Sequence, residues 1–271
     1  MKLAVLSDIH SNYYAFRACL EQAVEMKADG IVFLGDYVSD CAYPHKTMES
    51  LYQAKKQFKT WFVGGNRDLM IGSGEIPSEF ESMCYTYENL SKEDLSFFAS
   101  MPIATEICID GYPMFSASHG DFQSTRGEPL PGNDAMQELM RQMKGRLHLC
   151  GHTHISFVYE NEGRRVVNPG AVGVPHDGTP DAKMAIMVSD GGDWEVNLIQ
   201  VAYDVEKAVS DIHTSGLAKR AEAFSRSVIA TLRTGHDYRQ ECLKLIKQYT
   251  SHEDASHAPL LWAKAADALG I

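Results

Sequence analysis

Short apolar runs that stop at an acidic residue or a glycine pair set the rhythm of the first quarter of the chain. Residues 3–7 run into Asp8, residues 31–34 run into Gly35-Asp36, and residues 60–63 run into Gly64-Gly65. Continuous apolar runs of this length, closed by loop residues, read as strands buried on both faces, as in a parallel sheet. Between the first two runs, Phe16, Leu20, Ala23 and Val24 form a stripe at helical spacing over residues 13–27, with Ser11 or Asn12 as N-cap, and residues 44–59 read as the next helix. Such a βαβαβ series gathers its functional groups at the carboxyl ends of the strands, where Asp8, His10, Asp36 and Asn66 fall.

The pattern then changes twice. Residues 69–101 read as loop and helix, punctuated at Gly72, Gly74 and Pro77, with a helix start at Ser91; they are expected to form a cap beside the site. Strands return from Ile103: residues 113–118 lead into His119 and residues 147–150 into His152. Turns at Asn161-Glu162-Gly163 and at residues 190–193 predict antiparallel hairpins over 157–168 and 184–202. After Asp204 only helical stripes remain: Val205, Val209 and Ile212; then Leu217, Ala221, Phe224, Val228 and Leu232; then Tyr238, Cys242, Ile246 and Tyr249. Gly216 and Gly235 are placed to end the first two. The expected fold is α/β: a two-sheet sandwich flanked by helices over residues 1–203, carrying the cap at about 69–101, followed by an all-helical extension over 204–271.

Composition narrows the function classes. A chain of 271 residues with 44% hydrophobic content can bury a full core. The six cysteines include no CxxC pair, which fits reduced thiols in a cytoplasmic protein better than a disulfide framework. The first apolar run is too short for a signal peptide and no other run approaches membrane-spanning length, so no membrane partner is expected. A net charge of −11 argues against a stable nucleic-acid complex.

Five runs carry the chemistry: Asp8-Ile9-His10, Gly35-Asp36, Gly65-Asn66-Arg67-Asp68, His119-Gly120 and Gly151-His152-Thr153-His154. An isolated Asp-x-His is common in any chain, but at a strand end its two side chains point the same way and converge. His152 and His154 alternate likewise. Asp36 is placed where a carboxylate can bridge two ions, and Asn66 adds a neutral carbonyl oxygen. Two Asp, one Asn and four His make an oxygen and nitrogen set suited to Mn, Fe, Zn or Ni rather than to Ca or a thiolate-bound Zn. Two divalent cations outweigh the local carboxylates, so a small anionic substrate is admissible. The chemistry indicated is metal-assisted hydrolysis.

In this order the runs resemble the DxH, GD, GN[H/C]D, GH and GHxH pattern of the calcineurin-like metallophosphoesterases. Residues 168–175, Asn-Pro-Gly-Ala-Val-Gly-Val-Pro, resemble the NPGSVGxPR run of the family's compact bacterial and archaeal phosphodiesterase branch. The resemblance covers about residues 1–202. It implies a four-layer αββα sandwich and two metal ions, Mn or Fe ahead of Zn or Ni. One ion is then held by Asp8, His10, Asp36 and His154, and the other by Asp36, Asn66, His119 and His152, with a metal-bridging water or hydroxide attacking phosphorus in line. Two departures stand out: Arg67 where many relatives have His, and His176 where the branch often has Arg. An arginine neutralises charge but hands over no proton. Arg67, Asp68 and His176 are therefore the catalytic candidates, and Asn12, Tyr37 and Arg67 the substrate contacts. The expected activity is hydrolysis of a phosphodiester or phosphoanhydride bond in a nucleotide such as a dinucleoside polyphosphate. The alternatives are a phosphomonoesterase and a non-catalytic metal-binding interaction module of the same fold. The helical extension either packs on the core, recruits a partner or forms a homodimer.

Overall fold

The computed structural model describes residues 1–250 and 258–271. The chain opens with β1 (Lys2–Leu6), α1 (Tyr13–Glu25), β2 (Gly30–Phe33), α2 (Pro44–Gln57) and β3 (Lys59–Phe62). The three strands are parallel. Asn12 is the cap of α1, its side chain accepting from the Ala15 amide. Three helices follow, α3 (Asn66–Ser73), α4 (Glu81–Glu88) and α5 (Lys92–Ala99), the last started by a Ser91/Asp94 capping box. Next come β4 (Ala104–Ile109), β5 (Tyr112–Ser118), α6 (Asp134–Gln142), β6 (Leu147–Leu149), β7 (Phe157–Asn161) and β8 (Arg164–Asn168), then β9 (Ala182–Val188) and β10 (Glu195–Val201).

These strands make two mixed five-stranded sheets, β10-β9-β1-β2-β3 and β4-β5-β6-β8-β7. Leu3, Val5, Val32 and Leu34 of the first sheet meet Phe115, Ala117, Leu147, Leu149 and Val167 of the second across the centre. The alternate residues Ala4, Leu6, Ile31 and Phe33 face outward against Phe16, Met48, Leu51 and Phe98. Apolar groups are thus needed at every position of residues 3–6 and 31–34, which is why those strands read as unbroken apolar runs rather than as alternation. On the far side, Phe157 and Val166 pack under Met136, Leu139 and Met140 of α6. The result is the expected αββα layering.

The remaining helices are α7 (Val205–Thr214), α8 (Leu217–Arg220), α9 (Glu222–Thr234), α10 (Tyr238–Tyr249) and α11 (Pro259–Leu269). The stripe expected as one helix over 217–232 is two: Ala221 leaves helical geometry at φ −126°, ψ 62° and turns the chain between α8 and α9. Helices α6 and α11 were not anticipated. Val209, Ile212, Leu217, Val228 and Leu232 share a cluster with Cys41, Ala42, Tyr85 and Val174, so the C-terminal helices are cemented to the loops after β2 and β8. Gly235 marks a close approach: at φ +71° a Cβ there would lie 2.3 Å from the Thr179 nitrogen. Among the described residues no helix is long and apolar enough to cross a membrane.

Candidate active site

The site is a set of strand-end loops zipped together by backbone hydrogen bonds. The Asp8 amide donates to the Gly35 carbonyl (3.0 Å) and the His10 amide to the Asp36 carbonyl (3.0 Å), which ties the loop after β1 to the loop after β2. The Val172 and Gly173 amides donate to the carbonyls of Ser7 and Asp8, each at 2.9 Å, and Asn168 Nδ2 donates to the Gly151 carbonyl at 2.7 Å. Residues 168–175 are therefore scaffold for two ligand loops. A Cβ on Gly173 would sit 1.9 Å from the Ile9 carbonyl oxygen, so only glycine fits. This bracing holds Asp8, His10, Asp36, His152 and His154 at φ between 49° and 65°, a left-handed conformation that is costly for residues other than glycine and that clusters at functional sites.

Those loops bring the expected ligands together. Asp8 Oδ1 lies 3.2 Å from His154 Nε2, 3.7 Å from His10 Nε2 and 3.8 Å from His119 Nε2. Asp36 Oδ2 lies 3.8 Å from His10 Nε2 and 3.6 Å from His119 Nε2. Two groups with donor atoms in range of one ion result, Asp8/His10/His154 and Asp8/Asp36/His119. His152 sits against the His119 ring at 5.2 Å, and both it and Asn66 line the same cleft. His119 Nδ1 donates to the Leu34 carbonyl (2.6 Å) and His154 Nδ1 to the Val174 carbonyl (2.5 Å), which leaves the Nε2 lone pairs facing the carboxylates. His10 Nε2 and His154 Nε2 are 3.1 Å apart, a spacing two lone pairs tolerate when a proton or cation lies between them. The buried atoms Asp8 Oδ1, Asn66 Oδ1 and His119 Nε2 have no hydrogen-bond partner. Donor type, burial and unmet valence all fit divalent cations.

Electrostatics point the same way. Burial works against the Asp8 carboxylate, but the imidazoles of His154 and His119 outweigh it and hold its carboxyl well below the usual range. Burial likewise opposes a charged His119, and Asp36 and Asp8 overcome it, pushing the imidazole up to about 10. His152 is pushed down to about 4 by burial and by His119. The pocket is a nest of carboxylates in search of positive charge.

Three expected roles change. Asp68 is fully buried and accepts from the amides of Asp36 (2.7 Å), Gly65 (2.7 Å) and Tyr37 (3.1 Å), so it staples the loop after β2 to the start of α3 instead of facing a reacting atom. Burial and the charge of Asp36 push its carboxyl up to about 8. Asn12 is buried, caps α1 and donates to the Gly173 carbonyl at 2.8 Å. Tyr37 is buried with its hydroxyl donating to the Val63 carbonyl at 2.8 Å. The side chains of Asn12 and Tyr37 are thus turned into the core and do not line the cleft. Arg67 does face the cleft: its amide donates to Asp36 Oδ1 at 2.8 Å and its guanidinium lies 5.1 Å from the Phe80 ring centroid. His176 stacks on His154 at 4.2 Å, with Nδ1 3.2 Å from Asp237 Oδ2 and Nε2 3.1 Å from Arg239 Nη2.

Residues that sequence reading missed also shape the site. Ser39 Oγ is 2.8 Å and Asp40 Oδ2 3.4 Å from His10 Nδ1. Arg126, from the loop after His119, and Arg239, from α10, line a cleft of about 510 Å³ with the ligands. An adjoining space of about 340 Å³, sharing Arg67, Arg126 and Arg239, is walled by Met70, Phe80, Phe224, Leu243 and Trp262. Asp40 carried the signal of lying four residues after Asp36; Arg239, 199 residues beyond Asp40, carried none.

Buried carboxylates and imidazoles converging at parallel strand ends, beneath a cleft edged with arginines, define a metal-dependent phosphoric-ester hydrolase. The chain belongs to the calcineurin-like phosphoesterase superfamily, whose domain profile matches residues 1–191. It is 28% identical over 230 residues to the uncharacterised protein MJ0912 of Methanocaldococcus jannaschii, covering 78% of this chain and 91% of that protein. Among solved structures it is similar to the hypothetical protein PH1004 of Pyrococcus horikoshii, with TM-score 0.75, 25% identity, and 87% of this chain and 99% of that one covered. It is also similar to a metallophosphoesterase from Sphaerobacter thermophilus, with TM-score 0.70, 25% identity, and coverage of 85% and 99%.

Proposed function

We propose that the chain is a dinuclear-metal phosphodiesterase that cleaves phosphodiester or phosphoanhydride bonds of nucleotides such as dinucleoside polyphosphates, with Mn or Fe favoured over Zn or Ni. One observation carries the reading: the carboxylates of Asp8 and Asp36 each lie within 3.8 Å of both His10 Nε2 and His119 Nε2, so the two imidazoles that belong to different ion positions share a pair of carboxylates, of which Asp36 would be the bridge. Asp8, His10 and His154 would serve one ion, His119, His152 and Asn66 the other. Bound cations there supply Lewis acidity toward the phosphoryl group and a hydroxide nucleophile at neutral pH.

The chain's own residues shape the rest. Arg67 and Arg126 are not paired with a carboxylate among the described residues, and they stand at the junction of the two spaces, where they neutralise phosphate oxygens away from the reacting bond. The apolar and aromatic walls beyond them suit a flat base. His176 is held neutral by burial and by the neighbouring His154 and Arg239, and both its ring nitrogens are committed to Asp237 and Arg239. With no proton donor in Arg67 or His176, leaving groups that are stable as anions are favoured, as a nucleoside phosphate or a nitrophenolate is.

The test is a side-by-side assay with Mn of bis-p-nitrophenyl phosphate, p-nitrophenyl phosphate, cyclic nucleotides and dinucleoside polyphosphates. Turnover should be fastest on the anhydrides and on the activated diester. A clear preference for p-nitrophenyl phosphate would make the protein a phosphomonoesterase, and no turnover of any of them by metal-loaded protein would refute the reading.

A further inference from the structure

The family profile ends at residue 191, yet a side chain far beyond it reaches the residues that back the candidate ligands. Arg239, in the first turn of α10, is mostly enclosed, its side chain 11% exposed. Its Nη1 donates to Asp40 Oδ2, and its Nη2 lies 3.1 Å from His176 Nε2. Each partner touches a different candidate ligand. Asp40 Oδ2 is 3.4 Å from His10 Nδ1, on the side of the imidazole away from the cluster, where it backs the Ser39 Oγ that holds the same nitrogen at 2.8 Å, and the His176 ring stacks on His154 at 4.2 Å. His10 and His154 belong with Asp8 to one ion group. The guanidinium fork therefore spans the supports of two ligands of the same ion, and Asp237 holds the opposite nitrogen of His176 at 3.2 Å.

We propose that Arg239 is a positioning residue for the metal centre: through Asp40 it orients His10, through His176 it orients His154, and the C-terminal helices thereby complete the ion site formed with Asp8. The inference rests on the dinuclear reading above. Groups that orient a metal-binding imidazole typically change metal affinity by 10- to 100-fold when removed, and the planar fork of arginine makes both contacts at once as a lysine cannot.

The test is titration of the metal-free protein with MnCl2, read calorimetrically and by metal content after desalting, with melting of each metal-free protein as the check on folding. Wild type should take up two ions per chain. Arg239→Met should keep one near wild-type affinity and bind the other about 10- to 100-fold more weakly. Arg239→Lys keeps the charge beside Asp40 but not the fork, and should remain several-fold weak. The double variant Arg239→Met/Asp40→Asn removes the stranded carboxylate; it should melt higher than Arg239→Met without regaining the lost affinity. Two ions bound with wild-type affinity by Arg239→Met would overturn the proposal, as would full recovery in the double variant, which would reduce Arg239 to a counter-charge. If Arg239→Met does not fold, Arg239→Lys and Asp40→Asn decide on the same reading, wild-type affinity in both overturning it. A folded wild type that takes up no Mn is titrated with Fe, Zn and Ni in the same way, and one that takes up none of the four overturns the dinuclear reading and this inference with it.

Discussion

Two histidines on neighbouring strands are equally buried and meet opposite fates. His148, on the outer face of β6, has its ring nitrogens 2.9 Å from Ser116 Oγ and 2.9 Å from Ser118 Oγ, and the Phe122 ring lies at 4.6 Å. Burial pushes it down to about 3, so it is a neutral, satisfied core group. His119, at the end of β5, has one nitrogen on the Leu34 carbonyl and the other facing two carboxylates without a hydrogen bond. There burial is outweighed by Asp36 and Asp8, and the imidazole is pushed up to about 10. Burial alone makes a histidine inert, whereas burial beside unpaired carboxylates makes a place for a cation.

The largest expected effect lies on the charged side of that contrast. Asp36→Asn removes the carboxylate proposed to bridge the two ion positions, and kcat/KM should fall by about 10³-fold or more, about 4 kcal/mol of lost stabilisation. His10→Gln should cost clearly less in the same assay. Equal losses would remove the bridging role of Asp36.

The neutral side is read by stability against pH. The folded-state pKa of His148 lies below the unfolded value, so the unfolded chain binds a proton that the folded chain refuses as pH falls. The contribution is present above about pH 6.5 and is lost between 6.5 and about 3, with a slope approaching 1.4 kcal/mol per pH unit. Urea unfolding of His148→Gln at a series of pH values should show that slope removed relative to wild type. Parallel curves would mean that His148 titrates normally and that the contrast is overdrawn.

Arg67→Ala should slow anhydride cleavage by about tenfold through lost charge stabilisation, whereas Arg67→His should broaden turnover toward alkoxide leaving groups. A leaving-group series decides it, and a flat dependence in both variants would detach Arg67 from the chemistry. Smallest of all, Arg126→Ala should raise KM for a nucleotide by about threefold, less at high salt, because Arg126 is exposed and its charge is screened. A change confined to kcat would contradict that placement.

Much of the architecture was legible because it is local. The unbroken apolar runs of β1 and β2 signal a sheet covered on both faces, and the order of Asp, Asn and His at the strand ends signals the site. What escaped was set by tertiary closure. Asn12 and Tyr37 sit in motif loops like the ligands do, but the left-handed turns at Asp8, His10 and Asp36 decide which side chains face the cleft, and no residue pattern announces those turns. Asp68 looks catalytic in the third motif until its oxygens are seen to accept three amides. Arg239 lies on a helix whose apolar stripe gives no hint that its first turn ends beside His176. The break at Ala221 falls where no glycine or proline stands, on an alanine buried in the cluster that joins the C-terminal helices to the core.

The central claim is that seven side chains, Asp8, His10, Asp36, Asn66, His119, His152 and His154, hold two divalent ions. The most direct measurement is elemental analysis of folded protein loaded with Mn, Fe, Zn or Ni and then desalted, alongside Asp36→Asn. The account predicts two ions per wild-type chain and at most one in the variant. Folded wild-type protein that retains no ion under any loading condition would contradict it.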